Sequence, residues 1–208
     1  MLGHEINIDF WNKKLRKLPP EEIIDWALTL TDNRIVTTSF GIYSAVLLST
    51  ISKHDKNIKV IWCDTLYNHP NTYIHASKLI EDYGLNIQKY QPLKTKADID
   101  ATIGLPSLED DNHSEFSEIV KLEPFKRALD EHKPDLWFTN IRDRKTELRT
   151  KKDILSLSKD GILKVSPFYY WNDDDLDKLI ETNNLPKNLD YFDPVKALES
   201  RECGIHLQ

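Results

Sequence analysis

Four short stretches of this 208-residue chain hold residue types whose chemistry goes beyond packing. RECGIHLQ ends the chain and carries Cys203, whose thiolate would be a nucleophile, against the alternative of a bystander thiol. Arg201 and His206 favour the thiolate, Glu202 opposes it, and a terminal segment can swing into and out of a cleft. TTSFGIYS, residues 37–44, offers hydroxyl donors on Thr38, Ser39 and Ser44, with Phe40 and Gly41 at the turn itself. Backbone N–H groups at a turn that opens a helix suit a phosphate or sulfate, and Gly41 permits close approach. No GKS or GKT follows, so this is not a Walker-type loop. WCDTLYNHP, residues 62–70, places Asp64 beside Thr65; Asp64 could orient a ribose, an adenine amine or a basic residue, or cap the next turn. NIRDRKTELR crowds Arg142, Arg144, Lys145 and Arg149 together. Their paired donors match phosphate or sulfate oxygens, against the alternative of a solvated charged face.

These stretches need elements to bring them together. LPPEEIIDWALTL reads as a helix over 20–30, with Pro20 at its start and Ile23, Ile24, Ala27 and Leu28 on one face. IVTT, IKVIWCDT and NIQKYQ read as short strands. Between them lie the apolar AVLLSTI and TYIHASKLIEDYG, a helix closed by Gly84. Alternating strands and helices predict an α/β fold: an open, mostly parallel twisted sheet with helices on both faces, Rossmann-like. Residues 94–118 are polar and aperiodic and predict a loop or irregular helices. EPFKRALDEH is a further helix and DLWFTNI a further strand, running into the arginine cluster. ILSLS and ILKVSPF predict a hairpin around Asp160–Gly161, and WNDDDLDKLIETNN a capped helix. In such a sheet the carboxyl ends of neighbouring strands share one crevice, so TTSFGIYS, WCDTLYNHP and NIRDRKTELR fall on one side. The α/β domain is expected over 1–184, with 20–184 as its core, and 185–208 as a short mobile C-terminal tail.

Bulk properties exclude several classes. The net charge of −6 argues against a nucleic-acid partner, and no window resembles a signal peptide or a membrane span. A soluble, cytoplasmic protein is expected. Two cysteines, Cys63 and Cys203, neither form a disulfide framework nor supply a four-cysteine iron-sulfur cluster. Cys63, on an apolar strand, reads as a small core side chain. His69 and His75 lack ligand-like spacing, so no metal is expected.

Together and in order, these stretches resemble the phosphoadenylyl-sulfate reductases of the adenine nucleotide alpha-hydrolase-like superfamily. SFGIYSAVLL is similar to the family's modified pyrophosphate-binding loop, CDTLYNHPNTY to its DTGY or DTLH segment, and WFTNIRDRKTELR to its arginine-rich stretch. KVSPFYYWNDDDL resembles the segment that closes its sheet domain, and ECGIH its catalytic-cysteine ending. The resemblance implies that Cys203 attacks the sulfur of 3′-phosphoadenylyl sulfate, giving adenosine 3′,5′-bisphosphate and an S-sulfocysteine. Reduced thioredoxin or glutaredoxin would then release sulfite. It implies substrate contacts from Thr38, Ser39, Phe40, Gly41, Ser44, Asp64, Thr65, Arg142, Arg144, Lys145, Arg149, Arg201 and His206, with no bound cofactor and a homodimeric assembly. The chain departs from the pattern at Asp143, where a second arginine is common, and at Lys145, where glutamine is expected. The segment NLPKNLDYFDPVKALES is shorter than usual, leaving Lys187 or Lys196 to supply contacts. Two other readings remain: an ATP-using superfamily member that adenylates a substrate or transfers sulfur, and a non-catalytic nucleotide-binding relative.

Overall fold

The β-branched run after Arg34 becomes the inner strand of the sheet. In the computed structural model, which describes residues 3, 6–107, 109–143 and 152–195, the strands are β1 Arg34–Thr38, β2 Lys59–Cys63, β3 Asn86–Tyr90, β4 Leu136–Phe138, β5 Leu155–Leu157 and β6 Leu163–Val165. They form one sheet in the order β3-β2-β1-β4-β6-β5, parallel except for β5. Side chains alternate faces along a strand. Val36 and Val60 therefore enter one core cluster, while Ile35 and Ile61 enter another on the opposite face. Burial on both faces is why these strands read as continuous apolar runs rather than alternating ones.

Helices α1 Ile8–Leu15, α2 Pro20–Leu28, α3 Ser44–His54, α4 Pro70–Tyr83 and α8 Asp173–Asn183 contribute to the larger cluster; α7 Glu123–His132 covers the other face through Phe125, Ala128 and Leu129. The doubly covered α/β sheet expected from the alternation is present. Helix α3 is buried from Ser44 to Ser52 despite its hydroxyls. Ser49 and Thr50 donate to the Val46 carbonyl, and Ser52 to that of Ser49, so no hydroxyl needs water. Helix α4 stops at Gly84 in the left-handed region, φ 60°, as the closing glycine suggests. The hairpin β5–β6 is antiparallel around Gly161, and α8 begins with a capping box from Asn172.

Two features have no clear sequence signal. Helix α1 seals the sheet edge: the buried Asn12 amide donates to the Leu155 carbonyl and accepts from the Leu155 N–H, as a pairing strand would. The aperiodic region after 94 contains α5 Lys96–Thr102, α6 His113–Ser117 and a π-helical turn over Glu118–Leu122. Its Ile99, Phe116 and Val120 pack with Tyr67 and Val195 into a third cluster. The described part of the segment from 185 packs against the domain as far as Val195. Cys63 is half-buried against the second cluster, in keeping with a core side chain.

Candidate active site

Strand order alone marks a crevice. From β1 the chain proceeds outward to β2 and β3, then returns to place β4 on the other side of β1. The carboxyl ends of β1 and β4 therefore flank a topological switch point, where open α/β sheets bind ligands.

On the β1 side the chain turns through Ser39, Phe40 and Gly41. Phe40 adopts φ 51°, unusual for an aromatic residue, and is held there from three directions. Its N–H donates to Thr38 Oγ1 at 3.0 Å, its carbonyl accepts from Asn188 Nδ2 at 2.9 Å, and its fully buried ring meets Trp62 edge-on at 4.8 Å. Phe40, expected as a substrate contact, has its ring in the core, where it shapes the turn. The N–H groups of Gly41 and Ile42 have no acceptor among the described residues. They are the donors such a turn can offer to an anion, with α3 directly behind them. Tyr191 lies against Gly41; a Cβ there would sit 3.4 Å from its ring.

The Ser44 hydroxyl, expected as a ligand donor, is buried and lies 3.2 Å from Nε2 of buried His75 on α4. Burial pushes the His75 pKa below its ordinary value of 6.5, so the ring is neutral at neutral pH. Between the lowered folded value and 6.5 the unfolded chain binds the extra proton, and stability is lost as pH falls through that window. His75→Gln should therefore lose less stability than wild type between pH 7.5 and pH 5, measured by urea midpoints. Equal losses would refute this.

Of the roles open to Asp64, its surroundings match those of orienting a basic residue and capping the turn. Its carboxylate is 0% exposed and accepts from the Leu66 N–H, Asn68 Nδ2 and Tyr73 Oη on Oδ1, and from Gln91 Nε2 and Lys89 Nζ on Oδ2. Five donors saturate a carboxylate's lone-pair sites, leaving none for a ribose or an amine. Burial alone would raise its pKa, but the bonds from Lys89, Gln91, Tyr73 and the Leu66 N–H outweigh burial and hold it below the usual range. Asp64 organises the turn after β2, orienting a basic residue and capping that turn. Thr65 is also buried and accepts from the Tyr67 N–H at 3.3 Å.

On the β4 side, Arg142 is buried and donates to Asp173 at the start of α8, with its guanidinium 4.7 Å from the Tyr43 ring centroid. Lys187 approaches the same ring at 5.0 Å and donates to Asp177 at 2.6 Å. Tyr43 thus ties Arg142 to the Ser39–Ser44 turn. Arg144, Lys145, Arg149, Lys196, Arg201, Cys203 and His206 lie outside the described residues.

The arm after α8 runs along this crevice. Asn188 joins the Phe40 carbonyl to Thr72 Oγ1, Asp190 accepts from Asn71, and Phe192 stacks on His69 at 5.3 Å. Asp193 forms a buried ion pair with Lys121 of the π-helical turn. Asn188, His75 and Asn140, whose Nδ2 donates to the Tyr43 carbonyl at 3.1 Å, are site residues that the sequence reading does not single out. Only Asn140 had a signal, as an amide directly after an apolar strand within the quoted NIRDRKTELR.

Fold and site together define a doubly wound α/β protein whose switch-point turn holds two backbone N–H groups with no acceptor among the described residues. Comparison with known proteins makes the class specific. The phosphoadenosine phosphosulfate reductase domain family matches residues 33–193, and the chain belongs to this family. It is 34% identical over 182 residues to a phosphoadenosine 5′-phosphosulfate reductase of Xylella fastidiosa, covering 86% of this chain and 76% of that protein. A reductase of the same description from Synechococcus is 30% identical, covering 94% and 95% of the two chains. The crystal structure of phosphoadenylyl-sulfate reductase from Candida auris, a phosphate complex, superposes with a TM-score of 0.76 at 30% identity, covering 87% of each chain.

Proposed function

We propose that this chain reduces 3′-phosphoadenylyl sulfate to sulfite and adenosine 3′,5′-bisphosphate through an S-sulfocysteine on Cys203. The observation that carries the reading is the junction of family membership with an anion-accepting turn along which the C-terminal arm packs. Val195, the last described residue, lies in the cluster with Tyr67, and Cys203 follows eight residues on. Eight extended residues span at most about 29 Å. Tyr191, on the same arm, lies against Gly41, so this length of chain is compatible with Cys203 meeting a ligand at the turn.

The chemistry balances without a bound redox group. The Cys203 thiolate attacks the sulfate sulfur; an S–S bond forms as the S–O bond to phosphate breaks, and the bridging oxygen leaves with the electron pair on adenosine 3′,5′-bisphosphate. A thiolate of an external dithiol, thioredoxin or glutaredoxin, then attacks Cys203 Sγ, and sulfite leaves with the electrons of the S–S bond. The second thiol closes the donor's disulfide and returns Cys203 as a thiolate. This chain's two cysteines do not complete a four-cysteine cluster set, so its residues favour the cluster-free route. Gly41, Ile42 and Ser39 would hold the anionic end of the substrate, and Arg142 would leave Asp173 to meet it. A cytoplasmic location is part of the same proposal, since a free thiol nucleophile and a dithiol donor suit a reducing compartment. A homodimer is the proposed assembly, by family likeness alone.

The test is intact-protein mass spectrometry after mixing with 3′-phosphoadenylyl sulfate in the absence of reductant. Wild type should gain one sulfonate, and Cys203→Ser none. A saturating donor that leaves wild type unmodified would overturn the proposal.

A further inference from the structure

Asn140 follows β4 at the switch point, where Thr139 still pairs with β6 through its N–H to the Val165 carbonyl. The Ile141 N–H then donates to Thr139 Oγ1 and curls the chain away. This brings the Asn140 side chain across to the first strand's turn, where Nδ2 donates to the Tyr43 carbonyl at 3.1 Å. A carbonyl only accepts, so this bond fixes which arm of the amide is nitrogen. The other arm, Oδ1, is shielded from solvent and has no donor among the described residues. Such an acceptor is costly to leave unmade. The same fold supplies five donors to Asp64, so the exception stands out, and it stands where β1 and β4 part.

We infer that Asn140 is a specificity-determining residue whose Oδ1 accepts a hydrogen bond from an N–H or O–H group on the nucleoside part of the ligand. The inference rests on the nucleotide reading above. Phosphate and sulfate oxygens are acceptors and would be repelled by Oδ1, whereas the Gly41 and Ile42 N–H groups attract them. The two sides of the crevice thus sort the ligand's ends: anionic groups over the turn, a donor-bearing group toward Asn140. Two groups on an adenine nucleotide have this chemistry, the exocyclic amine of the base and the sugar 2′-hydroxyl.

Calorimetric titration distinguishes them with ligands that need no turnover. Wild type and Asn140→Ala are titrated with adenosine 3′,5′-bisphosphate, with its inosine counterpart, which replaces the amine by a carbonyl, and with its 2′-deoxy counterpart. One analogue should bind wild type about tenfold or more weakly than the parent, the loss of a bond to a buried acceptor. The same analogue should match the parent on Asn140→Ala to within about twofold, because the bond is already gone. Loss with the inosine compound identifies the amine, and loss with the deoxy compound the hydroxyl. If wild type binds both analogues as tightly as the parent, Oδ1 is satisfied by trapped water and the inference fails, whether or not the alanine variant folds. A loss carried unchanged into Asn140→Ala also overturns it. Failure of wild type to bind adenosine 3′,5′-bisphosphate at all would instead overturn the nucleotide reading, and this inference with it.

Discussion

Under the proposed function, sulfite release from 3′-phosphoadenylyl sulfate should fall about 10⁴-fold or more in Cys203→Ser, the order expected when a covalent nucleophile is removed from an otherwise intact site. The reason lies in both half-reactions. A serine hydroxyl remains protonated at neutral pH, so the attack on sulfur loses its nucleophile. Any sulfate ester formed on serine would also resist a thiol, because dithiol attack exploits a sulfur-sulfur bond. Binding should survive: the groups proposed to hold the nucleotide, at Ser39, Gly41, Ile42 and Arg142, are untouched by the substitution, so affinity for adenosine 3′,5′-bisphosphate should change by no more than about threefold. Colorimetric sulfite measurement with a thioredoxin-regenerating system gives the first quantity and calorimetry the second. More than a tenth of wild-type turnover in the variant would show that the sulfonate travels by another route.

The sequence made the inner part of the sheet legible because strands such as β2 and β4 are largely buried and announce themselves as compact apolar runs between helices, whereas the edge strand β3 is half exposed and mostly polar. The mostly parallel sense of the sheet followed from the alternation, strand order came from the structure, and Gly84, Asn172 and the Asp160–Gly161 turn marked their boundaries by residue type. The region after 94 was opaque for a physical reason. Its apolar residues Ile99, Phe116 and Val120 belong to two short helices and a π-helical turn, whose wider winding breaks the usual spacing. Their partner Val195 lies far along the chain. Helix α1 was missed for a similar reason: Asn12 matters through Leu155, 143 residues away. At the site, the location of the turn was readable, whereas the division of labour within it was not. Phe40 and Asp64 have types that suit a ligand or a core equally well. Only their surroundings, an edge-on tryptophan in one case and five donors in the other, decide the matter.

Those five donors make Asp64 the position where a single substitution should damage the fold most. Asp64→Ala removes the acceptor for the Tyr73 hydroxyl, the Asn68 and Gln91 amides, the Leu66 N–H and the Lys89 ammonium together. Breaking a buried charge network from one side costs about 3–5 kcal/mol, since the remaining groups are left without partners. Lys89→Met should cost about 1 kcal/mol or less: the lysine side chain is 39% exposed, and its four companion donors still satisfy the carboxylate. The order of the two variants is what distinguishes a network centred on the acid from an ordinary ion pair. Asp64→Asn keeps the shape but turns an amide nitrogen toward other donors, so it should fall between them. The pH dependence follows from the depressed pKa of Asp64. The network's contribution is complete above the unfolded-state pKa near 4 and is lost as pH falls through the lower folded-state value, because the native carboxylate resists the proton that the unfolded one accepts. Urea unfolding of wild type and Asp64→Ala should show a gap that is widest at neutral pH and shrinks below pH 4. A gap under about 1 kcal/mol at pH 7 would mean that the buried carboxylate is not what holds the turn after β2.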